Sequence, residues 1–340
     1  FEIVVVSHGF TTLPTNMNSS LNLSKRSLQA LVTSTVSGGT NQLFGTYTDQ
    51  YPVVIDKPLT IIGRQVPLVG ERPTVNINTN QDQSAITISS SGVTLRGLMV
   101  DHLTNNGPIG FSTKCIELVA GNNITIDDCL LYHNMIGLSS KADSFSLTSS
   151  ELRAKVLSVG PSYGVWIEAC NGNVDITNNL HSADPHETYS LGSGLILGTS
   201  EFPGLIVETF PVFKGIITYR GNRNNYTLYS SDSLPWITVS TGFQKNTSED
   251  KLSLVIDDNN LQNVNVGGFR FVNIVPRESD SLNSFRQITV SNNTVSSVYA
   301  MVDIRFSGTT VPLTFDPLLF VYGNSSNVVN RAGISCVLVS

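Results

Sequence analysis

Hydrophobic and polar residues alternate in short runs along most of this chain. Val93-Thr94-Leu95, Ile124-Thr125-Ile126, Val174-Asp175-Ile176 and Ile288-Thr289-Val290 each place an apolar residue at every second position. That is the period of a β-strand with one buried face. Gly and Asn punctuate the runs, as in Ser91-Gly92, Gly121-Asn122-Asn123, Asn171-Gly172-Asn173, Asn259-Asn260 and Asn292-Asn293. Both residue types tolerate left-handed backbone angles, so these positions predict tight bends. Bends this frequent leave no room for long helices.

The pattern also repeats at a larger scale. Between residues 92 and 137 one unit occurs twice: Val93-Thr94-Leu95 returns as Ile124-Thr125-Ile126, Leu98-Met99-Val100 as Cys129-Leu130-Leu131, and His102 as His133. Related units follow at 174–182, 254–263 and 287–297. Copies roughly 20 to 30 residues apart predict a solenoid in which each copy is one coil. A single coil cannot bury its apolar side, whereas stacked coils about 4.8 Å apart share one core. A column of strands is expected through Ile86, Ile116, Leu138 and Ile167 facing inward, with Thr87, Glu117, Ser139 and Glu168 facing outward.

The expected organisation has four parts. Residues 1–43 form an N-terminal cap, with a strand over 1–10 and a short helix over 18–34. That helix would take Ser19 or Ser20 as N-cap and Leu21, Leu28, Leu31 and Val32 as its apolar side. Coils occupy 44–199. Residues 200–251 break the pattern and carry Phe202, Phe210, Phe213, Tyr219, Tyr226, Tyr229 and Trp236, an aromatic load expected of an insertion or elaborated loop. Coils resume over 252–340. The fold class expected is all-β: a right-handed parallel β-helix with a short N-terminal capping helix.

The chain resembles the pectin-lyase-like right-handed parallel β-helix superfamily. The segment Gly45-Thr46-Tyr47 followed by Ile55-Asp56-Lys57-Pro58-Leu59-Thr60-Ile61-Ile62-Gly63 carries the likeness. It looks like the entry coil of periplasmic copper-maturation and carbohydrate-binding members. This resemblance implies the fold and no single activity, because the superfamily holds lyases, hydrolases, epimerases, tailspikes, adhesins and inert scaffolds.

Composition narrows the field. Charged residues are only 14% of the chain and the net charge is −6. With no basic stripe to pair with phosphates, nucleic acid is not expected as a partner. No run approaches the roughly 18 apolar residues of a membrane span. The chain opens on Phe1 rather than Met, read here as trimming with any targeting signal already removed. The four cysteines, Cys115, Cys129, Cys170 and Cys336, form no close Cys-x-x-Cys pair, which speaks against zinc. A Cys115–Cys170 disulfide and buried small hydrophobes are the two readings left. Sequons begin at Asn18, Asn22, Asn123, Asn225, Asn246, Asn292 and Asn324; they permit glycosylation without showing it.

Several residues could carry chemistry. Asp184-Pro185-His186-Glu187 resembles the motif of uronan C5-epimerases of this fold, whose His and acid act at the sugar C5. Asp184, His186 and Glu187 would be catalytic in that reading. His181-Ser182-Ala183 stands where the family has Tyr-Gly-Phe. His102 and His133 sit at one offset in successive units and could bind a metal; stacked surface or turn histidines are the plainer reading. Asp127-Asp128 and Asp257-Asp258 offer paired carboxylates, read here as turn residues because the polygalacturonase motifs are absent. Glu117 and Glu168 would be the ligands of a calcium ion, the sole cofactor considered.

The expected function is a non-enzymatic extracellular, cell-surface or virion-surface scaffold of the spike or adhesin kind, binding glycan or other surface proteins. The alternative is a polysaccharide lyase or C5-epimerase acting on an acidic glycan. A homotrimer is expected by analogy with tailspikes.

Overall fold

A computed structural model of the chain describes residues 26–64, 72–79, 83–104, 113–155, 162–183, 193–198, 213–225, 235–241, 251–262, 269–276, 285–307, 318–327 and 329–339. These residues form a right-handed parallel β-helix. Three parallel sheets of 11, 10 and 10 strands run its length. The first begins with Thr40–Leu43, the second with Thr46–Asp49 and the third with Val53–Ile55. Each coil visits the first, second and third sheet in that order, so every strand pairs with its counterpart one coil away.

The alternation read from sequence becomes rows of stacked side chains. On the first sheet one row runs Ile61, Leu95, Ile126, Leu147, Ile176, Tyr219, Ile256, Val290 and Val321. On the third sheet one row runs Val53, Ile86, Ile116, Leu138, Val165, Leu195, Ile237, Val272 and Val302. Both rows belong to one buried core. Val165, not Ile167, continues the row of Leu138, and Ile167 pairs with Ser140. The inward face was assigned correctly at this strand, but the register slipped by two residues. Trp166 therefore takes the outward place beside Ser139, and Glu168 lies past the strand end.

The turn from the first sheet to the second is the tightest. Gly97, Asp128, Ser149, Asn178, Gly221, Asp258, Asn292 and Gly323 all adopt positive φ there, between 49° and 68°. Only Gly, Asn, Asp and the occasional Ser take that conformation cheaply. Asp128 and Asp258 are thus turn residues. Behind this column five asparagines stack. Asn179, Asn222, Asn259 and Asn293 each donate a backbone N–H to the side-chain oxygen of the next rung, at 2.9–3.0 Å, ending on Asn324. Their amide nitrogens donate to main-chain oxygens such as Ile176 O and Tyr219 O, both at 3.0 Å. Buried polar groups need such partners, and here each amide satisfies its neighbour.

The helix spans Leu28–Ser34 and its N-cap is Ser27, whose hydroxyl accepts from Ala30 N at 3.0 Å. Ser19 and Ser20, the caps expected from sequence, lie outside the described residues. The buried Asp49 carboxylate sets the true start by accepting from Leu28 N at 2.8 Å and Gln29 N at 3.3 Å. A carboxylate at a helix N-terminus is doubly favoured, by the free N–H groups and by the helix dipole. Leu28 and Val32 then close the core against the first coil.

The described parts of 200–251 sit within the coils. Phe213–Arg220, Arg223–Asn224 and Ile237–Thr241 are strands of the first, second and third sheets. Phe213, Tyr219 and Trp236 are buried in the common core. Cys115, Cys129 and Cys170 are free and buried, so the Cys115–Cys170 bridge is not formed. Each acts as a small hydrophobe whose thiol meets a main-chain oxygen, as Cys115 does at Val100 O, 3.8 Å away.

Candidate functional site

The outward face of the third sheet gathers the most chemistry-bearing side chains. All residues of Ile136–Ser140 and Tyr163–Ile167 are buried, so both faces of the sheet are covered here. Met135, Ile136, Tyr163, Trp166 and Ile196 make a second apolar cluster, separate from the core. The Trp166 indole donates to Gly198 O at 2.8 Å, which fixes the ring.

Beside this cluster runs an ionic network. Lys114 Nζ lies 2.5 Å from Glu117 Oε1 and 3.6 Å from Glu168 Oε1, while Lys141 Nζ lies 3.2 Å from Glu168 Oε2. Ser84 donates to Glu117 Oε2 at 2.5 Å. The Lys114 ammonium also sits 6.0 Å from the Trp166 ring centre, within cation–π range. Glu117 and Glu168, the expected calcium pair, are therefore tied together through an ammonium. Burial works to raise the Glu117 carboxyl, but the hydrogen bonds from Lys114 and Ser84 and the charges of Lys114 and Lys141 outweigh it and hold the group below the usual carboxylate range. A general acid needs the opposite shift. Among the described residues no group of three or more His, Cys, Asp or Glu could hold a metal ion.

The three described histidines lie inside the coil rather than on its surface. His102, His133 and His181 are 0%, 2% and 3% exposed. The surface or turn reading of the first two is therefore corrected: the strand alternation turns their side chains to the core. His102 Nε2 shares a hydrogen bond with Thr79 Oγ1 at 2.7 Å. His181 Nε2 shares one with the Tyr219 hydroxyl at 3.0 Å, which in turn accepts from Trp236 Nε1 at 3.1 Å. Burial, aided by the nearby Lys155 ammonium, pushes His102 down to about 4. Burial first, then His181, His102 and Lys155, takes His133 down to about 3, and burial alone takes His181 to about 3. These rings are neutral at ordinary pH.

Glycines make the room for these rings. A Cβ on Gly137 would come 3.3 Å from the His133 ring, and one on Gly164 would come 2.5 Å from the His181 ring. A Cβ on Gly194 would come 2.4 Å from Trp236. Glycine inside a strand is a known sign of close approach by another group. Gly137, Gly164 and Gly194 were the signal that could have placed the rings inside.

The remaining site residues divide as follows. Asp184, His186 and Glu187 lie outside the described residues, in the segment joining a second-sheet strand (Leu180–Ala183) to a third-sheet strand (Leu195–Leu197). Asp127 is held by Thr148 Oγ1 at 2.7 Å and Arg96 at 3.2 Å, and Asp257 by Ser291 Oγ at 2.8 Å and Arg220 at 3.2 Å. Asn123, Asn225 and Asn292 are exposed sequon residues. Asn324 is the last rung of the amide stack, its Nδ2 donating to Val290 O at 2.8 Å. Asn18, Asn22 and Asn246 fall outside the described residues. Sequence reasoning missed Trp166 because the two-residue slip put Glu168 in its place, and it gave no role to Lys141 or Ile196.

No family model and no curated protein matches this chain. Among solved structures it is similar to the catalytic unit of a thermostable GH87 α-1,3-glucanase from Streptomyces thermodiastaticus strain HF3-3, at 14% identity and a TM-score of 0.26. The alignment covers 86% of this chain and 63% of that one. A likeness this distant carries no argument about site or substrate, and the fold stands on the sheet topology itself.

Proposed function

We propose that the protein is a non-enzymatic β-helix scaffold of the pectin-lyase-like superfamily, of the spike or adhesin kind, that binds glycan along its outward surface. Its place is extracellular, on a cell or virion surface, and a homotrimer is the assembly proposed. The network on the third sheet carries this reading. Lys114 and Lys141 neutralise Glu117 and Glu168, and Glu117 is held ionised, so the richest cluster of polar groups among the described residues braces the coil instead of standing ready to transfer a proton. The exposed sequons at Asn123, Asn225 and Asn292 suit a secreted glycoprotein. Among the described residues no helix is long and apolar enough to cross a membrane.

The test is incubation of the protein with a panel of neutral and acidic polysaccharides, reading retention and product together. Retention of at least one glycan with no unsaturated, shortened or epimerised product is expected. Turnover that disappears in His186→Ala would replace the scaffold with the lyase or epimerase reading and give Asp184, His186 and Glu187 their catalytic roles.

A further inference from the structure

The two ends of the described coil are finished differently. At the first coil the helix Leu28–Ser34 lies against the strands Thr46–Asp49 and Val53–Ile55. Its Gln29 side chain occupies the edge of the third sheet, donating to Val54 O at 3.4 Å and accepting from Val54 N at 2.6 Å. On the second sheet Arg26 O accepts from Thr48 N at 2.7 Å. At the last described coil the first and third sheets stop at Leu318–Tyr322 and Val329–Val339, and no strand among the described residues continues either one. Such an edge is a ready template for pairing with another chain.

The core is open at this end as well. Ile334 continues the third-sheet row of Val272 and Val302, yet it is 47% exposed. Leu319 and Val321 extend the first-sheet core beyond Ile288 and Val290 and are only half-buried. The outward side chains of Leu318, Phe320 and Tyr322 are 58%, 43% and 56% exposed. Natural sheets blunt their edges with charge, proline or a covering element. Residues 318–327 contain no charged residue and no proline, and Val329–Val339 contains one charge, Arg331. No helix among the described residues lies over this end.

The edge strand itself says what fits it. Leu318-Leu319-Phe320-Val321-Tyr322 carries a large apolar or aromatic side chain at every position, so it is complementary to its own reverse. We infer that two copies of this chain join end to end, with these strands paired antiparallel about a twofold axis at Phe320. Leu318 of each copy then lies opposite Tyr322 of the other, Phe320 opposite Phe320, and Leu319 opposite Val321. Cross-strand neighbours of this kind sit about 5 Å apart, and aromatic pairs among them are favourable. The same axis sets the second-sheet end of one copy over the third-sheet end of the other, which covers Ile334. A twofold contact uses one patch on both partners and closes at two. Head-to-tail stacking is barred, because Gln29, Arg26 and the helix already hold two sheet edges at the first coil. Charge agrees with this choice. Each chain carries −6 and like-charged surfaces repel, whereas the ends that meet are nearly uncharged. The homotrimer proposed above would form along the sides of the coil, and this contact would double it to six chains.

The test is sedimentation equilibrium of the full chain over a range of concentrations. The expected mass is that of two chains of 36.7 kDa, or of six where the trimer also forms. Phe320→Glu, at the centre of the contact, should weaken the pairing about thirtyfold or more and return one chain or three. Leu318→Glu is an independent change on an exposed side chain with the same expected direction, so a folding failure at Phe320 leaves the question decidable. Tyr51→Glu, exposed near the helix-covered end, should leave the mass unchanged. One chain or three for the unaltered protein would overturn the inference. So would an even assembly that survives both Phe320→Glu and Leu318→Glu, or one that Tyr51→Glu dissolves. Open-ended growth with concentration would mean head-to-tail contacts and would overturn it too. None of these outcomes bears on glycan binding, so the scaffold reading is tested separately.

Discussion

In the coils up to Ala183 the buried polar groups include three imidazoles, His102, His133 and His181, together with Asn179, the first of the stacked amides. In the coils from Asn222 to Asn324 they are amides, stacked rung on rung. At the equivalent turn position the earlier coils carry Leu98, Cys129 and Ser150. Ser150 starts the chain of contacts by donating its N–H to Asn179 Oδ1 at 3.0 Å and accepting from Cys129 N at 3.0 Å. Both halves bury polar groups: the amides pair rung to rung, and glycines leave steric room for the rings. The two solutions respond differently to acid. An amide does not titrate, whereas a buried neutral imidazole resists a proton that the unfolded chain accepts.

This contrast yields its largest prediction on acidification. The folded-state values of the three histidines are depressed, near 4, 3 and 3, against 6.5 unfolded. Proton linkage therefore takes nothing from stability above about pH 6.5. As pH falls below that, the unfolded chain binds protons that the folded chain does not, and stability drops until the folded values are reached. At pH 5 the loss is about 2 kcal/mol per histidine, or about 6 kcal/mol for the three. Urea titrations at pH 7 and pH 5 check it, and His133→Leu should blunt the difference. The charged groups beside these rings, Lys155 and Asp101, are ion-paired with each other.

Gly164→Ala comes next. Its methyl would meet the His181 ring at 2.5 Å and Gly194 O at 2.7 Å, and overpacking against backbone is not relieved by a rotamer change. We expect a loss of about 4 kcal/mol in urea denaturation. Asn259→Ala breaks the other half. It leaves Asn222 N and Tyr219 O without their Asn259 partner and Asn222 Nδ2 with Ile176 O alone, for a loss of about 3 kcal/mol that should be the same at pH 7 and pH 5. Asn324→Ala, at the half-buried last rung, should cost only about 1 kcal/mol, graded against Asn259 in the same assay.

Much of this was legible from the chain, for reasons that explain the rest. Period-two alternation reports a buried face, so Ile86, Ile116 and Leu138 were placed in one row. It does not report register, because a slip of two residues keeps the same face inward; Val165 and Ile167 were exchanged that way. Asn259 and Asn293 were seen as bend residues because turn propensity is local. Their stacking was not seen, since it depends on the length of each intervening coil. His102 and His133 were matched to each other by sequence, but polarity suggested the surface. Tyr219 and Trp236 looked foreign to the repeat because they pack inside the core against His181, and no pattern of small aliphatics announces that.

The claim beneath these expectations is that the buried imidazoles and amides hold the coil, each in its own half. Amide hydrogen exchange read peptide by peptide at pH 7 and pH 5, corrected for intrinsic rates, tests it most directly. Protection should fall on acidification in strands 99–104, 130–133 and 180–183 and persist in strands 252–257 and 285–291. Equal loss in both sets, or no loss in the histidine-bearing strands, would contradict it.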